Sequence, residues 1–293
     1  MADGKIVPRR SVLYMPGANE RALEKAKGLD ADALILDLED AVAPDAKAEA
    51  RDRVCAAVTS GQYGSKEVTI RVNGLDTQWY VEDIAAAAEA GPAAVVVPKV
   101  NSVDDVRAIE ASLSSAGAPD HTKIWAMVET PQAMLHAEAI AGASERLTVL
   151  VMGTNDLAKE LHAEHVAGRK PLLTGLGLCL LAARATGKVI LDGVYNDVKD
   201  PEGFEAECIQ GRQLGFDGKT LIHPGQLEPA NRVWAPSEEA VEDARALIAT
   251  FEEAVAAGKG VVTHNGRMIE NLHVENARRI LAVAGAIAAR AQG

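Results

Sequence analysis

One pattern constrains this chain more than any other. A short β-branched run is followed by an alanine-rich stretch with helical spacing, and the unit recurs eight times. The runs are SVLYMP (11–16), ALILDLED (33–40), VTIRVNG (68–74), AVVVPKV (94–100), KIWAMVET (123–130), LTVLVMGTND (147–156), KVILDGVYND (188–197) and GFDGKTLIHP (215–224). Strands that are apolar along nearly their whole length are buried on both faces, the condition of a parallel sheet covered by helices. Eight such units predict a (β/α)8 TIM barrel over residues 1–224. The competing doubly wound sheet calls for a glycine-rich phosphate turn directly after a strand. The nearest approach, TGLGLCLL from Thr174, breaks that pattern and opens a helix instead.

After residue 224 the pattern changes. SEEAVEDARALIATFEEAVAAGKG reads as a helix with Ser237 as N-cap, acids in its first turn and a glycine stop. VVTHNGRMIE reads as a small hairpin turning on Asn265-Gly266, and NLHVENARRILAVAGAIAARA as a final helix. Residues 225–293 thus form a C-terminal extension that either caps its own barrel or reaches a neighbour.

Composition narrows the function. The chain of 293 residues is 48% apolar, which excludes wholesale disorder. Acids outnumber bases 42 to 30, a formal charge of −12, and no basic face is clustered, which argues against nucleic acid as partner. Cys55, Cys179 and Cys208 are scattered and odd in number, as in a reducing compartment, and read as small buried residues. MADGKIVPRR lacks an apolar signal core, and no apolar run approaches the roughly 20 residues of a membrane span. A soluble cytoplasmic protein is expected.

Active sites of such barrels form where strands end and loops begin. Here those ends are polar: Asp37, Glu39 and Asp40; Arg71 and Asn73; Pro98-Lys99; Glu129; Asn155-Asp156; Asp192, Tyr195 and Asn196; His223. So many carboxylates on one rim repel one another and require a cation. Arg71 supplies one charge, and a hard divalent ion with oxygen ligands would supply two more. Glu129 and Asp156, on adjacent strands, make a candidate Mg2+ pair. The alternative is that Glu129 pairs with Arg71 and Asp156 caps the following helix. His162-x-x-His165 in KELHAEH has the spacing of a metal pair on a helix but also that of a solvated helix face. His223 is either a site residue or the closure of the turn before Pro224. Trp79 and Tyr80 read as packing residues.

The segments RSVLYMPG, LDLEDAV, RVNG, VPKV, ETPQ, MGTNDLA and GFDGKTLIHP, in this order and spacing, resemble the citrate lyase β-subunit branch of the HpcH/HpaI aldolase superfamily. The resemblance covers nearly the whole chain. It implies a Mg2+-dependent barrel (Mn2+ as a substitute) that forms trimers or hexamers and acts on short hydroxy-dicarboxylic acyl-CoA esters. It implies Glu129 and Asp156 as metal ligands and Arg71 as a catalytic residue in contact with substrate. Pro98, Lys99, Gly153, Thr154 and Asn155 fall around the same substrate. CoA is expected near the first βα loop, at Tyr14 and Lys25, with Arg21 and Lys27 on the same helix. The pyruvate-dependent aldolases of the superfamily carry histidine at the position of Asp40, so aspartate here points to the CoA-ester branch and away from an aldolase acting on free pyruvate, with Asp40 as a candidate catalytic residue. The lyases carry aspartate at the position of Glu270, an acid that exchanges a proton with the acetyl-CoA methyl carbon in a neighbouring subunit. The malyl-CoA thioesterase type carries glutamate there.

The leading expectation is therefore C–C cleavage of a malyl- or citramalyl-CoA-type substrate through an enolate. That chemistry needs a metal to chelate the hydroxyl and carboxylate and a guanidinium beside the thioester oxygen, but no covalent nucleophile. Hydrolysis of the malyl-CoA thioester at the same metal site is the alternative. A citrate lyase subunit acting on a carrier-bound acyl group is a further one. Glu270 has a plainer role open to it as well, starting the last helix and favouring its dipole.

Overall fold

The computed structural model of the protein describes residues 6–258 and 261–291. Eight strands close into a barrel: β1 (Ser11–Pro16), β2 (Ala33–Asp37), β3 (Glu67–Arg71), β4 (Ala94–Val97), β5 (Lys123–Val128), β6 (Leu147–Met152), β7 (Val189–Asp192) and β8 (Gly218–Leu221). Every neighbouring pair is parallel, and β8 returns to β1 through Ser11–Lys219, Val12–Thr220 and Leu13–Leu221. Between them run α1 (Glu20–Ala26), α2 (Lys47–Thr59), α3 (Tyr80–Ala90), α4 (Val103–Ser115), α5 (Pro131–Leu135), α6 (Ala137–Ala141), α7 (Thr154–Glu160), α8 (Leu173–Thr186) and α9 (Pro201–Leu214); α10 (Leu227–Trp234) follows β8. This is the (β/α)8 barrel expected from the strand pattern.

Side chains alternate between the two faces of a strand. One face of the barrel strands carries Val12, Ala33, Ile35, Ala94, Val96, Trp125, Met127, Val149, Val151 and Leu191, which form a single buried cluster. Two residues further along, the same alternation reaches Asp37 after Ile35, Arg71 after Thr69 and Glu129 after Met127. The polar rim is thus the continuation of the apolar core at the C-terminal ends of the strands. Deeper charges are paired. Arg9 binds Glu67 through Nε (2.6 Å) and Nη2 (2.8 Å) and lies 5.3 Å from the Trp125 ring centre. The fully buried Lys219 sits between Asp192 (3.2 Å) and Glu207 (2.7 Å), and Arg169 reaches Asp192 at 2.6 Å. Two cations thus face two anions, which burial demands.

The barrel residues form one compact unit, Arg9–Arg232. A second unit is built mainly from the chain beyond Val233. It contains α11 (Glu238–Ala256), β9 (Val262–His264), β10 (Arg267–Ile269) and α12 (Asn271–Ala291). Ser237 caps α11 by accepting the Ala240 N–H, as its position predicts. Asn265 (φ 48°) and Gly266 (φ 74°) are both left-handed, so the hairpin turns where expected. Ala254, Val262 and Ile269 form the small core of this unit, with Leu247 and Phe251 against it. Glu270 precedes α12: its carbonyl accepts the His273 and Val274 N–H groups, and its own N–H donates to His273 Nδ1 at 3.0 Å. No helix among the described residues is long and apolar enough to cross a membrane.

The helical reading of KELHAEH needs correction. Helix α7 ends at Glu160, and His162 adopts φ 55°, so the two histidines do not share a helix face. A left-handed residue reverses the chain before the i, i+3 spacing can act.

Candidate active site

A cavity of about 380 Å³ opens where the barrel strands end, lined among others by Tyr14, Asp37, Asp40, Arg71, Glu129, Gly153, Thr154, Asn155 and Asp156. With Val194 after β7 and Thr220 and Ile222 at β8, residues from every strand end but that of β4 meet in one hollow. Arg71 lies at its base. Its Nε and Nη2 donate to the two oxygens of Asp37, each at 2.7 Å. Its Nη1 lies 2.6 Å from Glu39 and 3.5 Å from Asp40, and its guanidinium stands 4.9 Å from the Tyr14 ring centre. Burial works against the charge on Arg71, but Asp37 holds its pKa well above the ordinary value. Burial also raises Tyr14 well above the phenol range, although the Arg71 charge lowers it. Glu39 is pushed up to about 7 by burial, with Arg71 opposing.

Glu129 follows β5 and is 2% exposed. One oxygen, Oε1, accepts the backbone N–H of Lys99 at 2.8 Å. Lys99 itself adopts φ 51°, a left-handed conformation that costs a non-glycine residue about 1–2 kcal/mol. The other oxygen lies over Gly153, where a Cβ would stand 2.1 Å from Oε2. Burial, reinforced by the Asp156 carboxylate, pushes Glu129 up to about 8. Asp156, in the first turn of α7, has Lys99 Nζ 3.9 Å away. Both alternatives for these acids are set aside: Arg71 is bound by Asp37 instead of Glu129, and the N-cap of α7 is Gly153.

The donor set fits a hard divalent cation. Both groups are carboxylates, one is too buried to ionise easily without a counter-charge, and a glycine leaves room beside its free oxygen. No group of three or more His, Cys, Asp or Glu residues capable of holding a metal occurs among the described residues, so water and substrate oxygens would complete the shell.

The remaining expected residues are placed as follows. Asp40 is exposed at the mouth beside Arg71. Thr154 is buried, while Asn155 is exposed and exchanges two amide hydrogen bonds with Asn196 (3.1 and 2.7 Å). Pro98 is buried at the end of β4, and Lys99 contributes through its backbone. Lys25 is exposed in the last turn of α1. Glu270 lies in the second unit. His223 closes a turn: its Nδ1 accepts the Gly225 N–H at 3.0 Å. Trp79 packs under the Lys47 ammonium, and Tyr80 is buried. Sequence reasoning placed Asp37 only among the rim acids and missed its grip on Arg71. It also missed the hydrophobic wall of Met127, Met152, Val194 and Ile222. A second cavity, about 470 Å³, shares Thr154 and Val194 with the first and is edged by Glu164, Asp197, Asp200 and Glu207.

Residues 10–224 match the family model described as HpcH/HpaI aldolase/citrate lyase. The (3S)-malyl-CoA thioesterase of Cereibacter sphaeroides is 54% identical over 282 residues, covering 96% of each chain. The citrate lyase subunit beta of Escherichia coli is 36% identical, covering 93% of this chain and 92% of its own. Among solved structures, the CitE protein of Mycobacterium tuberculosis in complex with magnesium, acetoacetate and coenzyme A superposes with a TM-score of 0.78 at 28% identity, covering 96% of this chain and all of the other.

Proposed function

The chain belongs to the HpcH/HpaI aldolase/citrate lyase family, and from that premise we propose that it hydrolyses the thioester of a malyl-CoA-type substrate, with Mg2+ held by Glu129 and Asp156. The observation that carries this reading is that one cavity presents both carboxylates together with Arg71. The preference for hydrolysis over C–C cleavage, which the sequence alone put first, rests on two points. The thioesterase relative is 54% identical against 36% for the citrate lyase subunit, and Glu270 replaces the aspartate of the lyases.

Mg2+, or Mn2+ in its place, would act as template and Lewis acid for the oxygens of the hydroxy acid. The chain's own residues do the rest. Arg71 meets the thioester oxygen, where negative charge grows as the carbonyl is attacked. Glu39 and Asp40 share its Nη1 edge and give way to that oxygen. Asp40, exposed at the mouth, takes the proton of the attacking water; as the adduct collapses the C–S bond breaks, and that proton passes to the departing CoA sulfur, which leaves as the free thiol. Gly153, Thr154 and Asn155 line the acyl pocket, Pro98 and Lys99 lie outside its lining and act through the Lys99 N–H that holds Glu129, and the wall from Met127 to Ile222 keeps bulk water away. CoA lies on the β1 side, against Tyr14 and Lys25. Arg53, whose Nη1 donates to the Ala18 carbonyl at 3.0 Å, adds positive charge to that loop, whereas the second cavity is edged by acids that would repel phosphates. In this reading the enzyme is a cytoplasmic homotrimer or hexamer, and Glu270 moves a proton in a neighbouring site.

The lyase reading keeps one specific support: the same Arg71 and metal pair suit an enolate. Incubation with Mg2+ and (3S)-malyl-CoA separates the two. Malate and free CoA are expected. Glyoxylate and acetyl-CoA would establish the lyase, and turnover only of an acyl group on a carrier protein would establish the citrate lyase subunit.

A further inference from the structure

We propose that Asp37 is the positioning residue that aims Arg71 at the substrate; this rests on the reading that Arg71 meets the substrate. The two residues are register partners on β2 and β3, so their side chains leave neighbouring strands on the same face and at the same height. The guanidinium lies fork to fork on the carboxylate, Nε to Oδ1 and Nη2 to Oδ2, both at 2.7 Å. Such a pair fixes the plane of the guanidinium as well as its place. The carboxylate is itself locked: Oδ1 accepts the Glu39 N–H at 2.8 Å, and Oδ2 accepts the Ala41 N–H at 3.1 Å. Asp37 is 2% exposed, and each oxygen already holds two donors, so it has no capacity left for a substrate. The Tyr14 ring flanks the guanidinium. What remains directed elsewhere is Nη1, the edge that meets Glu39 and Asp40.

Those two acids differ from Asp37 in kind. Asp40 is 74% exposed on its side chain and 3.5 Å from Nη1, a partner that can move away. Glu39 touches only that same edge. Among the described residues, Asp37 alone holds the opposite side of the fork. Without it the guanidinium would have carboxylates only on its Nη1 side, would turn towards them, and would withdraw the edge the reaction uses. Displacement of a reacting group by about 1 Å can cost about a hundredfold in rate.

A salt bridge that merely ties two strands would look similar, so the test is a double-mutant cycle on malyl-CoA consumption, whichever products form. Asp37→Asn keeps the shape and loses one half of the fork. It is expected to lower kcat about a hundredfold, with little change in KM and with the melting transition retained. Arg71→Lys should also be impaired. In the double variant Asp37→Asn/Arg71→Lys, activity should fall no further than in Arg71→Lys alone, because Asp37 acts only through the guanidinium. Losses that multiply, or wild-type kcat in Asp37→Asn while Arg71→Lys is impaired, overturn the proposal and leave the reading of Arg71 intact. Wild-type turnover in Arg71→Lys overturns that reading and the proposal with it. Should Asp37→Asn fail to fold, guanidinium rescue supplies the answer. Guanidinium chloride should restore activity to Arg71→Ala at least tenfold better than to Asp37→Asn/Arg71→Ala, a pair in which no buried charge is left over. Equal rescue of both overturns the proposal.

Discussion

Gly153 is small because Glu129 needs the space. A methyl group at Gly153 would stand 2.1 Å from Oε2 and 2.3 Å from Cβ of Glu129, well inside contact distance. Glu129 cannot yield freely, since its other oxygen is tied to the Lys99 N–H. Gly153→Ala should therefore displace the carboxylate and weaken Mg2+ binding by about ten- to a hundredfold, the range for losing support around a ligand. Calorimetric titration with MgCl2 measures this without reference to turnover, and unchanged affinity would dissociate Glu129 from the metal. Arg71 offers a second test at this scale. Arg71→Lys keeps the charge but cannot reproduce the fork on Asp37. The expected loss of transition-state stabilisation is about 2–4 kcal/mol, as for a missing oxyanion donor, read as a fall in kcat/KM.

Elements were legible to different degrees, for physical reasons. Strands β2, β4, β5, β6 and β7 stood out because burial on both faces leaves them almost wholly apolar, whereas β3 (EVTIR) and β8 (GKTL) keep buried polar residues such as Thr69, Lys219 and Thr220 and stood out less. The rim was legible for the complementary reason: Asp37, Arg71 and Glu129 interrupt apolar runs at positions where a charge needs a purpose. What could not be read is which charge meets which. The pairing of Arg71 with Asp37 follows from the register of β2 on β3, and the bond from Lys99 to Glu129 is made by a backbone N–H that any residue but proline carries. Nor was the end of β2 visible. The apolar run continues through Leu38, but Asp37 accepts the Glu39 and Ala41 N–H groups and turns the chain. The hairpin of the second unit was legible, because asparagine-glycine is the natural pair for a turn with two left-handed residues. Gly266 sits at φ 74°. Gly266→Ala should cost the hairpin about 1 kcal/mol or more. Exchange of the backbone amides of Val262 and Ile269 should then speed up about fivefold, and unchanged exchange would mean that the turn tolerates a side chain.

For the molecule as a whole, a buried carboxylate without a close counter-charge is a cost to the fold. The chain is already acidic, with a formal charge of −12, and Glu129 is buried beside Asp156, with Lys99 Nζ no closer than 3.9 Å to the latter. The sign of its linkage follows from the raised pKa. A carboxyl group whose proton is held more tightly in the fold than in the unfolded chain makes the fold lose stability as pH rises from the ordinary value towards about 8. At neutral pH, part of that cost is already present. A divalent cation that binds only the native site offsets it by mass action, by about 2.7 kcal/mol at a concentration a hundredfold above its Kd. Three results are expected together. EDTA should abolish turnover and Mg2+ restore it. Mg2+ should raise the melting temperature of the wild type. Glu129→Gln should melt higher than the wild type in EDTA, because the buried charge is gone, yet show no further rise with Mg2+ and no turnover. A Glu129→Gln variant that melts lower in EDTA and still gains stability from Mg2+ would mean that Glu129 serves the fold and that the metal sits elsewhere.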